Sequence, residues 1–89
     1  MRKFLADKYG KSNITGFDLV VYTLENYKYK VSKTIELYED LGKKFNMTPS
    51  NVERLMRYYK DSVGVKDKNN SEFLNDLLIE LESIEGGAK

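Results

Sequence analysis

The sequence predicts a small all-α domain of four to five helices, and three observations carry that expectation. Apolar residues recur at the three-to-four-residue spacing of amphipathic helices in four separate segments, and no stretch keeps the strict alternation of a half-buried strand. Capping residues and turn formers stand between those segments at short intervals. The chain has 89 residues, enough for one hydrophobic core and too few for two. At 40% hydrophobic and 33% charged residues with a single proline, the composition is that of an ordered, highly charged domain.

Residues 2 to 8 suit a short opening helix. A longer one follows Thr15, where Thr15-Gly16-Phe17-Asp18 fits a capping box with an acid in the first turn. Phe17, Val20, Val21, Leu24, Tyr27 and Val31 form its apolar face. The next runs from about Thr34 to Phe45 and buries Leu37, Tyr38, Leu41 and Phe45. Thr48-Pro49 then opens a further helix, with a capping hydroxyl followed by proline at the first helical position, where its missing N–H is harmless. Val52, Leu55, Met56, Tyr59 and Val63 are its inward stripe, and Gly64 suits its end. The last helix begins near Asn70-Ser71 and carries Phe73, Leu74, Leu77, Leu78, Leu81 and Ile84 over about residues 71–84, before Gly86-Gly87 stops it. Gly64 to Asn70 is a polar surface loop, and the chain holds no repeat or low-complexity tract.

Several functional classes drop out on residue type alone. There is no cysteine and no histidine, which removes disulfides, thiolate and histidine-based catalysis, and most transition-metal sites. Carboxylate pairs four apart, Glu36 with Asp40 and Asp76 with Glu80, are the remaining acid–base or hard-cation candidates, and solvated surface is the better reading of both. The expectation is a binding protein, not an enzyme, with no cofactor and no metal. No apolar run reaches the length of a membrane span, and the opening residues lack a signal-peptide stretch, so a cytoplasmic protein is expected.

Net charge is only +1, but it is unevenly laid out. Residues 1–34 carry seven Lys/Arg against three acids, and residues 43–60 carry Lys43, Lys44, Arg54, Arg57 and Lys60 against Glu53 alone, whereas residues 71–89 hold five acids against Lys89. A basic middle beside an acidic end can present a local positive face to phosphates.

That basic middle coincides with a helix-turn-helix pattern over about residues 35–63. Only Asn46-Met47-Thr48 separates the two helices; Gly42 supplies the small residue such a steep junction needs, and Asn46 the residue tolerant of positive φ. Removing the buried stripe from the helix 49–62 leaves Ser50, Asn51, Arg54 and Arg57 along one outer side, with Glu53 beside them. Arginine can take guanine O6 and N7 with two bonds, Asn51 suits adenine, Ser50 a base edge or a phosphate, and Glu53 can accept from cytosine or orient an arginine. Lys43, Lys44, Thr48, Tyr58 and Lys60 are the candidates for phosphate contacts, which fix register without reading sequence. The plain alternative is a solvated face on which Glu53 and Arg57, four apart, form a surface ion pair.

The stretch Lys43-Lys44-Phe45-Asn46-Met47-Thr48-Pro49-Ser50-Asn51-Val52-Glu53-Arg54-Leu55-Met56-Arg57 resembles the "KKFNTTxSRVERAIR" segment of the C-terminal DNA-binding effector domain of the stage-zero sporulation regulator A family. Asn70-Ser71-Glu72-Phe73 is similar to that family's "NSEF", and Gly16-Phe17 and Leu37-Tyr38 are compatible with its upstream helices, so the resemblance spans roughly residues 15 to 82. It implies a bacterial or phage transcription regulator whose helix-turn-helix binds short boxes in double-stranded DNA, commonly in tandem. By position, Ser50, Glu53, Arg54 and Arg57 match DNA-facing residues of the family. Asn51 departs, since the family reads its box with arginine there, and the 89 residues include no phosphoacceptor receiver domain. Self-association, where it occurs, would use Leu74, Leu77, Leu78 and Leu81 of the last helix, the competing reading being that these leucines are core. The rival to a DNA reader is a small adaptor or inhibitor, from a mobile element, that uses the same fold against another protein, with Asp76, Glu80 and Glu82 as its acidic docking face.

Overall fold

The computed structural model describes residues 1–11, 13–27 and 33–87, the last three through their backbone. Five helices follow in order: α1 (Arg2–Tyr9), α2 (Thr15–Asn26), α3 (Thr34–Phe45), α4 (Pro49–Ser62) and α5 (Asn70–Gly87), with no strand among the described residues. The all-α expectation holds, as does the short opening helix. Helix α4 is the centre of the packing: α2, α3 and α5 all lie against it, and α1 leans on α2. The helices enclose one core in which Leu5, Phe17, Leu19, Val20, Leu37, Leu41, Val52, Met56, Tyr59, Phe73 and Leu74 are essentially inaccessible to solvent.

The starts and ends differ instructively from the sequence expectation. Thr15 is not the cap of α2; it is the first helical residue, and the extended Ile14 precedes it with no side-chain cap. Ile14 packs on the core instead, and the Asp18 carboxylate that a capping box would have turned back accepts from the Arg2 guanidinium of α1 at 2.5 Å. Helix α2 ends at Asn26, so Tyr27 continues in extended backbone, where its hydroxyl donates to Asp40 at 2.8 Å; Val31 lies outside the described residues. Burial and this bond to a carboxylate push the Tyr27 hydroxyl up to about 12.

The capping box the sequence placed at Thr15 occurs at α5. Asn69 Oδ1 accepts from the Glu72 N–H at 2.8 Å, and Glu72 Oε1 accepts from the Asn69 N–H at 3.1 Å, two otherwise orphaned donors satisfied reciprocally. That frees Asn70 to turn inward. At the far end, Gly86-Gly87 does not stop α5, because glycine in a helix costs only about 1 kcal/mol and does not forbid it. Ile84, expected in the stripe, is 55% exposed: the 18-residue helix, about 27 Å long, outruns the helices it packs on.

Two corrections bear on function. Leu74, Leu77 and Leu78 are buried and Leu81 is packed against the core, so the face offered for self-association is already used inside the chain. Lys60, expected at a phosphate, is 4% exposed; its ammonium donates to Asp61 Oδ1 at 2.7 Å and to the Val65 carbonyl at 2.8 Å. Here the C-terminus of α4 closes with Val65 N–H on the Lys60 carbonyl and Gly64 N–H on that of Asp61, Gly64 taking φ +91°. The Lys60 side chain reinforces that turn.

Among the described residues two buried side-chain atoms find no hydrogen-bond partner, Asn70 Oδ1 and the Tyr59 hydroxyl. Tyr59 is fully buried among the rings of Tyr9, Phe17 and Phe73, and its hydroxyl finds no hydrogen-bond partner among the described residues; burial pushes it up to about 12. Tyr59→Phe is therefore expected to raise stability by about 1 kcal/mol, visible as a melting temperature higher by about 4–8 °C. A lower melting temperature would mean that the hydroxyl is satisfied after all.

Candidate nucleic-acid interface

The site begins at the turn Asn46–Thr48 between α3 and α4. Asn46 takes the left-handed conformation at φ 56° and ψ 54°, and the Met47 N–H comes back onto the Gly42 carbonyl at 2.8 Å. A Cβ on Gly42 would lie 2.5 Å from the Met47 carbonyl oxygen, so the small residue expected there is required by the backbone of the turn. Thr48 then caps α4, its hydroxyl accepting from the Asn51 N–H at 3.2 Å, with Pro49 at the first position of the helix. Both boundaries of this helix pair are as the sequence predicts.

Val52, Met56 and Tyr59 face the core, and Leu55 and Val63 are partly covered. The opposite side of α4 exposes Ser50, Arg54, Arg57 and Tyr58, the last at 62%. Asn51 and Glu53 are half-buried and each holds an arginine: Asn51 Oδ1 accepts from Arg54 Nη2 at 2.8 Å, and Glu53 pairs with Arg57 at 3.4 Å. The surface ion pair considered from spacing is thus present, and it sits among the candidate reading residues.

Lys43 and Lys44 are exposed in the last turn of α3. Lys43 lines a cleft of about 500 Å³ with Glu39, Thr48 and Pro49, while Lys44 reaches over the Tyr22 ring at 5.9 Å from its centroid. Of the five residues expected to meet phosphates, Lys43, Lys44, Thr48 and Tyr58 are exposed and Lys60 is sequestered.

A second cleft, of about 430 Å³, joins Arg57 and Glu53 to Lys68 and the start of α5. Asn70 forms its inner wall, donating from Nδ2 to the Tyr38 hydroxyl at 3.1 Å and to the Glu53 carbonyl at 3.2 Å, which ties α3, α4 and α5 together beneath the exposed face. Sequence reasoning missed Lys68, which is paired with Asp76, and missed Ile35, which is 72% exposed. Ile35 was findable: it lies out of phase with the Leu37–Leu41 stripe, an apolar residue on a polar side.

The carboxylates singled out earlier have separate engagements. Glu36 lies 3.8 Å from Lys33, Asp40 accepts from Tyr27, Asp76 pairs with Lys68, and Glu80 pairs with Lys8 at 2.8 Å. Among the described residues no cluster of three metal-ligating side chains occurs, and no helix is long and apolar enough to cross a membrane. No family model, curated protein or solved structure matches the chain.

Proposed function

We propose that this chain is a sequence-specific DNA-binding protein that acts as a transcription regulator in the cytoplasm, with α3 and α4 as its helix-turn-helix and α4 lying in the major groove. The observation that carries this reading is the outer side of α4, where Ser50 and Arg54 in the N-terminal half of a capped helix, and Arg57 one turn further on, stand free of the core. Lys43, Lys44 and Thr48 flank that half from the preceding helix and turn, in the place of residues that hold phosphates. The two arginines are already oriented by Asn51 and Glu53. Giving up an exposed pair of this kind costs roughly 0.3–0.5 kcal/mol, whereas a bidentate arginine–guanine contact discriminates by about 1–3 kcal/mol. Base contact therefore wins over the internal pairing. The likeness of residues 43–57 to the sporulation regulator segment supports the same assignment.

The test is selection of bound duplexes from a random DNA pool, repeated at matched salt with Arg54→Ala/Arg57→Ala. The wild-type chain is expected to enrich one motif and the double variant to lose it, with a binding slope against salt shallower by about one unit for each phosphate contact that goes with the arginines. No enrichment by the wild-type chain would overturn the proposal and direct attention to a protein partner.

A further inference from the structure

Ile35 is the second residue of α3 and is more exposed than any other large hydrophobic side chain among the described residues, at 72%. It lines a cleft of about 290 Å³ with Tyr38, Pro49, Ser50 and Glu53. Two of these, Ser50 and Glu53, belong to the candidate reading face, so the cleft is a continuation of that face toward α3. One lining residue is fixed: the half-buried Tyr38 hydroxyl accepts from Asn70 Nδ2 at 3.1 Å. The walls at Ile35 and Pro49 are apolar, and the one charge in the cleft is the carboxylate of Glu53.

This lining decides what can enter. A phosphate finds no cation there and meets a carboxylate. An apolar group carried on a hydrogen-bonding edge fits both halves of the lining, and in the major groove only thymine presents one, its 5-methyl beside O4. We propose that Ile35 is a specificity-determining residue that selects thymine at one position of the DNA site, through van der Waals contact with the 5-methyl group, next to the base met by Ser50. This rests on the DNA-binding reading above and adds to it a residue outside α4.

Deoxyuridine isolates the methyl, because it keeps every hydrogen-bonding atom of thymine. The duplex enriched by the wild-type chain would be remade with each thymine in turn replaced by deoxyuridine and its affinity measured with the wild-type chain, Ile35→Ala and Ile35→Val. One replacement is expected to weaken wild-type binding about fourfold, the value of one buried methyl. Ile35→Ala should bind the thymine and deoxyuridine duplexes alike, and Ile35→Val should keep most of the difference. An enriched duplex indifferent to every replacement, or a difference that survives unchanged in Ile35→Ala, would overturn the assignment while leaving the DNA-binding reading intact. Failure of the wild-type chain to enrich any duplex would overturn both. Circular dichroism of the variants confirms that a lost preference is not a lost fold.

Discussion

Gly16→Ala is expected to lower the melting temperature by on the order of 10 °C, although alanine is the better helix former. At an open helical position this exchange gains about 1 kcal/mol. At Gly16, in the first turn of α2, a Cβ would lie 2.5 Å from the Tyr59 Cβ and 2.6 Å from the Leu55 carbonyl oxygen. Neither neighbour is the loose end of a flexible side chain, so α2 and α4 have to separate by roughly 1 Å to restore ordinary contact. Overpacking of this kind costs about 1–3 kcal/mol, and in a domain of this size each kcal/mol moves the midpoint by about 4–8 °C. Thermal unfolding followed by circular dichroism measures it. An unchanged or higher midpoint would show that the two helices do not approach so closely.

Gly42→Ala is expected to be as damaging to stability and, on the proposed DNA-binding reading, more damaging to DNA recognition. Its Cβ would stand 2.5 Å from the Met47 carbonyl oxygen, a backbone atom within the turn itself, so the chain must re-route where α4 is aimed. The hydrogen bond from Met47 to Gly42 and the Thr48 cap lie on either side of that point. We expect a loss of about 1–3 kcal/mol. Affinity for the selected duplex should also fall at temperatures where circular dichroism reports a fully folded protein, which separates a misdirected helix from an unfolded one. Binding that tracks the folded fraction alone would show that the turn does not aim the reading face.

These two glycines also show where the sequence was readable. Gly42 and Asn46 are intelligible locally: a three-residue turn needs a residue without a Cβ and one that accepts positive φ, and both lie at fixed spacing from Thr48-Pro49. The boundaries of α3 and α4 follow from the same local chemistry. Gly16 is unreadable locally, because its neighbours Leu55 and Tyr59 are some forty residues away and only the packing of α2 on α4 brings them within reach. Lys60 is intermediate. It stands four residues after Met56, at the border of the buried stripe, where a long aliphatic stem can be covered. That its ammonium would then meet the Val65 carbonyl depends on the path of the loop after Gly64. The start of α5 was fully legible, since asparagine three residues before Glu72 is itself a capping pattern. It belongs to Asn69, one residue ahead of the expected start, and that register is what points Asn70 into the core.

The candidate reading residues were legible in kind and incomplete in extent. Ser50, Arg54 and Arg57 were separable from the stripe by helical phase alone. Their tethering to Asn51 and Glu53, and the extension of the face to Ile35, required side-chain positions.

Helix α4 gives Val52, Met56 and Tyr59 to the core and leaves Ser50, Arg54, Arg57 and Tyr58 exposed on its outer side. Under the proposed DNA-binding reading, stability and target choice are written on different sides of one rod. On that reading, substitution at positions 50, 54, 57 and 58 is expected to change what the helix recognises while leaving the packed stripe of Val52, Met56 and Tyr59 unaltered.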